Sequence, residues 1–209
     1  MSVTYVDKKS KEQVACAEAV LMAAGRRAAL EGLFGEGMAP EMSRGAMVAD
    51  ADGRTSIPGL YVIGDAMAGN IQLAHVAAAQ GENVIDVIGG GRGNVDMKVV
   101  PSYVYTCPEI ASVGLSQEQA KERGLSVVVK KLPTGSNGKS LIAGGDGGFV
   151  KLVAAEDGTL LGAQLVCDRA TDMIGELAVA VRLGLKLEDV AATIHPHPTF
   201  VEMIGQAAK

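Results

Sequence analysis

The residues best suited to chemistry lie near the C-terminal end of the 209-residue chain, which contains three histidines in all. His195 and His197 each precede a proline, and Glu202 follows five residues after His197. An imidazole exchanges its proton at about pH 6.5, and a carboxylate on its second ring nitrogen fixes the tautomer and raises the basicity. His197 and Glu202 are therefore the candidate acid–base pair.

The sequence around this pair predicts how it is held. A residue before proline is pushed out of the α region, so His195 and His197 are expected to project from an extended segment. Thr199 and Glu202 have the spacing of a capping box, which predicts a helix that begins at Thr199. Its apolar positions are Phe200, Val201, Met203 and Ile204. A simpler interpretation stays open, in which Glu202 bonds only to the Thr199 backbone and His197 is an ordinary surface residue.

The string His195-Pro196-His197-Pro198-Thr199 with Glu202 resembles the C-terminal signature of the FAD-dependent pyridine nucleotide–disulfide oxidoreductases. Within that family it is most similar to the lipoamide dehydrogenases. The resemblance implies that His197 is the proton acceptor and that Glu202 hydrogen-bonds it. It also implies that the histidine serves the active site of the partner subunit, and that the peptide bond to Pro198 is cis.

A second informative stretch is TSIPGLYVIGDA, residues 55–66. Pro58-Gly59 predicts a turn, Leu60 to Ile63 a four-residue buried strand, and Gly64-Asp65 its end at the carboxyl edge of a sheet, where α/β proteins bind ligands. The residues alone also fit a plain strand-to-helix turn. The full string resembles the second FAD-binding motif of the same family, which implies that Asp65 holds the ribityl chain of the flavin and that Gly64 lets the backbone approach it.

Gln72, Leu73, Ala74 and His75 begin a predicted helix that runs to about Ile88. The resemblance implies that the backbone N–H groups at this helix start point at the pyrimidine oxygen of the flavin, where a helix N-terminus favours negative charge. His75 on its own fits a helix-surface histidine equally well, so the prediction concerns its backbone and not its side chain.

The N-terminal stretch predicts strands at Val3 to Val6 and Ala19 to Ala24, followed by a turn at Gly25. In the resembling family a Gly-Arg at this place returns the chain from the NAD domain to the FAD domain, which puts Gly25 near the nicotinamide nucleotide. Family members have a proline one or two positions on, whereas Ala28 and Ala29 stand here.

The second half of the chain predicts an α+β unit. Strands are expected at 102–106 and 126–131, and 149–155 pairs with 159–166 in a hairpin, while 134–148 is rich in loop residues. Helices are expected after the capping box Ser116/Gln119, from Thr171 to Gly184 and over 187–192. This order resembles the interface domain of the family.

The predicted fold class is α/β and α+β: a remnant of the FAD- and NAD-binding domains, then an α+β dimerisation domain with an antiparallel sheet and packed helices. The expected domains are 1–28, the end of the NAD-binding domain, 29–95, the C-terminal segment of the FAD-binding domain, and 96–209, the interface domain. The glycine-rich run 89–93 is expected to be a hinge, since it lacks the G-x-G-x-x-G pattern of a phosphate loop.

Composition limits the possible functions. Hydrophobic residues make up 48% of the chain and the net charge is −5, which argues against a nucleic-acid or anionic-membrane surface. No apolar run reaches the length of about 18 residues that a membrane helix needs. Three scattered cysteines predict a cytoplasmic protein without a metal site or redox pair.

The resemblance implies an oxidoreductase that oxidises dihydrolipoyl groups with NAD through FAD. It covers the C-terminal half of the family's enzyme, and the Cys-x4-Cys disulfide that His197 would serve is not in the sequence, so this chain alone is expected to be inactive. The implied partners are a second copy in a homodimer, and either a separate N-terminal half or a 2-oxo acid dehydrogenase complex.

Two alternatives stay open. The first is a catalytically inactive dimerisation fragment. The second is another reductase of the same family, for mercuric ion or glutathione. Mercuric reductases end in a cysteine pair, whereas no cysteine follows Cys167 here. The His-Pro-His-Pro-Thr segment looks more like the lipoamide enzymes than like glutathione reductases.

Overall fold

The computed structural model describes residues 1–145 and 147–209. The chain forms two compact units, Met1–Asn70 and Ile71–Lys209. The division at 70/71 places the helix after residue 72 in the second unit, whereas the expected FAD-domain segment 29–95 includes it. The domain boundaries expected from the sequence stay predictions.

The first unit contains two small antiparallel pairs. Strands β1 (Ser2–Val6) and β2 (Glu12–Cys16) form one, and β3 (Met42–Ser43) and β4 (Ala46–Met47) form the other. The predicted strand at Val3 to Val6 is confirmed within β1. Every residue of β1 and β2 is exposed.

Two strand predictions in this unit are wrong. Residues 19–24 have no regular structure and are all exposed. Residues 60–63 are extended but make a single isolated bridge, between Tyr61 and Arg54, and Ile63 is exposed while Val62 is buried. A segment forms a strand only where a neighbouring segment makes a ladder of backbone hydrogen bonds with it, and in the described residues neither segment has such a ladder.

The second unit is built on one five-stranded antiparallel sheet. Its strands are β5 (Ser102–Val104), β6 (Glu109–Gly114), β7 (Val127–Pro133), β8 (Phe149–Ala155) and β9 (Leu160–Cys167), in the spatial order β5-β6-β9-β8-β7. The β8–β9 hairpin is the centre of this sheet, and the register pairs Val150 with Leu165 and Leu152 with Ala163. The predicted hairpin is therefore confirmed.

The described residues of this unit form six α-helices. They are α1 (Ala74–Ile88), α2 (Gln117–Glu122), α3 (Gly138–Ile142), α4 (Ala170–Leu183), α5 (Leu187–Ala192) and α6 (Glu202–Ala208). Helix α4 packs against β6 and β9, and α6 packs against β7, β8 and α5. Leu152, Leu165, Leu177, Met203 and Ile204 are fully buried where these elements meet. This core fixes the positions of α4 and α6, from which the candidate site is built.

Most elements of this unit follow the sequence prediction. The capping box of Ser116 and Gln119 is formed, and α4 ends at Gly184 as expected. Strand β6 was not predicted, because its Ala, Ser and Gly residues have weak strand propensity. The stretch 134–148 was predicted as loop-rich but contains a 3-10 turn at Thr134–Ser136 and the short helix α3. Among the described residues no helix is long and apolar enough to cross a bilayer.

Candidate acid–base site

His197 and Glu202 are in direct contact. Nδ1 of His197 lies 3.0 Å from Oε1 of Glu202, and the second carboxylate oxygen accepts a hydrogen bond from the Thr199 N–H at 2.9 Å. Glu202 therefore bonds both the imidazole and the backbone, so both interpretations of its contacts hold. Because a carboxylate only accepts, Nδ1–H is the donor and Nε2 carries the lone pair that takes up a proton.

The exposure of the two side chains differs. The His197 side chain is 80% exposed in the protomer, whereas that of Glu202 is 16% exposed. The hydrogen bond from the Thr199 N–H, followed by that from His197, lowers the pKa of Glu202. The carboxylate is thus ionised at neutral pH, where it can stabilise the imidazolium that forms when Nε2 accepts a proton.

The start of α6 differs from the prediction. The Thr199 hydroxyl donates to the Pro196 carbonyl at 2.6 Å instead of capping the helix, and α6 begins at Glu202. The capping box predicted for Thr199 and Glu202 is therefore only half formed, with the glutamate side and not the threonine side in place. The bond from His197 to Pro198 is cis, as the resemblance implied.

His195 does not project as the sequence analysis expected. Its side chain is 8% exposed, and Nε2 lies 3.0 Å from Oε1 of Glu176 on α4. Extended backbone before proline fixes φ and ψ but does not decide whether the side chain faces solvent. Here the hydrogen bond to Glu176 holds the ring on α4, and the missing side chain of Gly205 leaves room for it beside α6.

A buried side-chain amide holds the C-terminal end of the segment that runs from His195 to Thr199. Asn137 donates from Nδ2 to the Thr199 carbonyl at 3.1 Å, while its Oδ1 accepts from the N–H and the hydroxyl of Ser140. Asn137 and Ser140 are both buried. Asn137, Glu176 and Gly205 were missed by the sequence analysis. Asn137 alone has a local signal, since it is the N-cap of α3.

The predicted cofactor residues Gly25, Gly64 and Asp65 lie in the first unit. Gly64 is buried, has a φ of +64° and begins a 3-10 turn over Gly64–Ala66, a conformation that favours glycine. Its carbonyl accepts a hydrogen bond from Asn70 at 2.8 Å. The Asp65 carboxylate lies 3.6 Å from Arg26, and Gly25 is exposed with a φ of +87°.

The predicted helix-start residues Gln72, Leu73, Ala74 and His75 lie in the second unit. Helix α1 begins at Ala74 after the extended residue Leu73 and runs to Ile88, as predicted. The His75 ring donates from Nε2 to the Pro101 carbonyl at 2.8 Å and stacks on Tyr103. Its side chain therefore already has partners within the protomer. At the helix start, the N–H groups of Val76 and Ala77 both donate to the Leu73 carbonyl at 3.1 Å.

In the described part of the chain, no three His, Cys, Asp or Glu side chains cluster closely enough to hold a metal ion. Cys16, Cys107 and Cys167 are all free thiols.

Residues 100–208 match the dimerisation domain of the pyridine nucleotide-disulphide oxidoreductases, and this match covers more than half of the chain. The chain belongs to the pyridine nucleotide-disulphide oxidoreductase family. Residues 2–81 also match a pyridine nucleotide-disulphide oxidoreductase model. The first match contains His197 and Glu202, and the second contains Gly25, Gly64 and Asp65.

Curated relatives of this chain include the dihydrolipoyl dehydrogenase of Bacillus subtilis, 39% identical over 211 residues, with 100% of this chain and 44% of the relative covered. That of Halobacterium salinarum is 39% identical over 210 residues, with 99% of this chain and 44% of the relative covered. The chain thus spans less than half the length of these relatives.

Solved structures agree with this membership. LpdA from Mycobacterium tuberculosis superposes with a TM-score of 0.85 at 27% identity, over 96% of this chain and 44% of that one. The HOCl-induced flavoprotein disulfide reductase RclA from Escherichia coli gives a TM-score of 0.84 at 26% identity, over 94% and 47%. The predicted fold class and family are therefore confirmed, while the roles of the individual site residues stay predictions.

Proposed function

We propose that this chain forms the C-terminal part of a dihydrolipoyl dehydrogenase-type flavoprotein, in which His197 is the acid–base residue. The observation that carries the proposal is the 3.0 Å contact of His197 Nδ1 with Glu202, made by an 80% exposed ring on the family's dimerisation domain. This contact leaves Nε2 to accept a proton from a group outside the protomer.

The residues of the site act on the protons of a dithiol. Nε2 of His197 removes a proton from one thiol of a dihydrolipoyl group, and Glu202 stabilises the resulting imidazolium. The thiolate attacks a disulfide sulfur, so that one S–S bond breaks, a mixed disulfide forms and a second thiolate leaves. General-base assistance of this kind contributes ~10²–10⁴ in rate. The attacked disulfide has to come from polypeptide beyond these 209 residues, which contain no Cys-x4-Cys.

The proposed FAD and NAD contacts fit the residues present. Buried Gly64, with no Cβ and a φ of +64°, lets a ligand come close to the backbone, and the Asp65 carboxylate can accept a hydrogen bond from a ribityl hydroxyl. The N–H groups of Ala74 and His75, the first two residues of α1, are the proposed donors to a pyrimidine oxygen, and Gly25 is the proposed contact for NAD. When bound, FAD would supply the electron transfer between the dithiol and NAD+.

The exposed His197 ring suits a two-fold assembly. In a homodimer built on the dimerisation domain, each protomer would offer its His197 to the active site of the other. A separate N-terminal half would supply the disulfide, and a 2-oxo acid dehydrogenase complex would supply the lipoyl groups. Among the substrates used within the family, the dihydrolipoyl group is favoured, because the curated relatives are named dihydrolipoyl dehydrogenases.

A second candidate function is dimerisation without turnover. It is favoured by the match of residues 100–208 to the dimerisation domain of the family, because that match on its own accounts for pairing and not for turnover. Such a fragment would pair through residues 100–208 and bind no flavin.

Three measurements on the purified 209-residue protein separate the candidates: sedimentation, visible flavin absorbance, and NAD+ reduction with dihydrolipoamide. A yellow dimer that reduces NAD+, alone or after addition of the N-terminal half of the Bacillus subtilis relative, supports the flavoprotein. A colourless dimer that stays inactive with that half supports the fragment. A monomer under all these conditions would contradict both.

A further inference from the structure

The described residues contain a second His and Glu pair beside the first. His195 Nε2 lies 3.0 Å from Glu176 Oε1, and the His195 side chain is 8% exposed while that of Glu176 is 35% exposed. The two histidines are separated by Pro196 alone, yet the His197 side chain is 80% exposed. One ring is therefore anchored in the protomer and the other is presented to the outside.

Gly205 on α6 makes room for the anchored ring. A Cβ built at residue 205 would lie 2.7 Å from Nδ1 and 2.8 Å from Cε1 of His195, closer than real Cβ atoms approach other heavy atoms. The ring is thus held between the carboxylate of α4 and the bare backbone of α6. Both helices are fixed by the core, in which Leu177 and Ile204 are fully buried.

The link between the two rings is stiff. Proline fixes φ at residues 196 and 198, and each proline also confines the residue before it to extended backbone. The Thr199 hydroxyl bonds the Pro196 carbonyl at 2.6 Å, which closes the segment on itself. A displacement of His195 is therefore transmitted to His197 instead of being absorbed by free rotation between them.

Few charged groups face His195. Glu176 contacts it from α4. His195 also lines a cavity of about 160 Å³, whose charged lining residues are Glu202 and Lys209. The remaining lining residues from α5, the segment and α6 are uncharged: Ala191, Thr193, Gly205 and Gln206. Among these charged groups, Glu176 is the one within hydrogen-bond distance of Nε2, so it is the hydrogen-bond partner of this ring.

We propose that His195 and Glu176 are positioning residues, which anchor the His-Pro-His-Pro segment to α4 and so hold His197 in register with Glu202. The catalytic meaning of this anchor rests on the function proposed for His197. The anchor itself is a property of the protomer and is tested without turnover.

A general loss of stability has to be distinguished from a loss of positioning. Thr171 provides a matched control on α4, because its hydroxyl donates to Glu109 at 2.6 Å and links α4 to β6 without contacting the segment. Thr171→Val removes one side-chain hydrogen bond of the same helix. His195→Gln is the conservative variant, since its Nε2 amide can still donate to Glu176.

The experiment uses ¹⁵N-histidine NMR on the 209-residue protein, whose three imidazoles are assigned by single substitutions. The ring-nitrogen shifts of His197 report which nitrogen carries the proton, and that choice depends on the hydrogen bond to Glu202. His195→Ala and Glu176→Ala are expected to lower the Nδ1–H population of His197 severalfold. His195→Gln and Thr171→Val are expected to leave it at the wild-type level.

Two results would overturn the anchor: an unchanged His197 tautomer in folded His195→Ala, or an equal change in Thr171→Val. If a variant fails to fold, Gly205→Ala, which crowds the same ring from α6, gives an independent displacement of His195 with the same expected shift. In an enzyme completed by an N-terminal half, His195→Ala is expected to lower kcat by up to about 10²-fold with little change in KM. Failure of that turnover assay with an intact tautomer shift would count against the proposed function and not against the anchor.

Discussion

The β1–β2 and β8–β9 hairpins have the same local form but opposite surroundings. Both are antiparallel pairs, yet every residue of the first is exposed whereas most residues of the second are buried. Strands β8 and β9 have the sheet, α4 and α6 around them. Local sequence is thus sufficient for a hairpin, while its burial depends on distant parts of the chain.

The largest contrast is expected at two cysteines that end the second strand of each hairpin. Cys16 is exposed, whereas Cys167 is buried and burial raises its pKa to about 12. Since an ordinary thiol has a pKa of about 8.5 and the thiolate is the reactive form, Cys167 is expected to be alkylated at least ~10³-fold more slowly. Mass spectrometry after timed iodoacetamide treatment measures both sites. Equal rates in the folded protein would mean that the second unit opens readily.

A second contrast concerns packing. Leu165→Ala on β9 removes a fully buried side chain, and the expected loss in free energy of unfolding is about 2–5 kcal/mol. Val14→Ala on β2 removes an exposed one, with an expected change within about 0.5 kcal/mol. Urea unfolding followed by circular dichroism measures both. A large effect of Val14→Ala would show that β2 is covered in solution.

The third contrast is between two asparagines. Asn137 bonds Thr199 and Ser140 from a buried position, so Asn137→Ala is expected to destabilise the second unit by about 1–3 kcal/mol. Asn94 is exposed, and Asn94→Ala is expected to change the stability by no more than about 0.5 kcal/mol. Urea unfolding followed by circular dichroism measures both changes in stability. Equal small effects would remove Asn137 from the support of the histidine segment.

The smallest expected effect is a pH dependence at Glu109. Hydrogen bonds from the Thr171 hydroxyl and N–H lower the pKa of Glu109 in the folded state. A lowered folded pKa stabilises the protein above the unfolded value of about 4.3, and this stability is lost as the pH falls through the folded pKa. Glu109→Gln should thus be less stable than wild type at neutral pH, with the difference closing in acid. The exposed Glu122→Gln is the control, and a pH-independent difference would contradict the assignment.

The β8–β9 hairpin and the helices α1, α2, α4 and α5 were predictable because their signals are local. The capping box of Ser116 and Gln119 lies within four residues, and the contact of His197 with Glu202 spans five. The strands expected at 19–24 and 60–63 were wrong because a strand exists only through its neighbours.

The support of the site was not predictable for the same reason. Glu176 lies 19 residues from His195, and Asn137 lies 62 residues from Thr199. Nothing in the sequence near either histidine indicates these contacts. They arise only when the core brings α3, α4 and α6 around the segment.

Turnover of the completed enzyme tests the central claim most directly. These 209 residues, joined to an N-terminal half that carries the Cys pair, should reduce NAD+ with dihydrolipoamide. His197→Gln removes the proton acceptor and is expected to lower kcat by at least ~10²-fold, whereas Glu188→Gln on the exposed face of α5 should leave it unchanged. A His197→Gln enzyme with near-normal turnover would contradict the assignment of His197 as the acid–base residue.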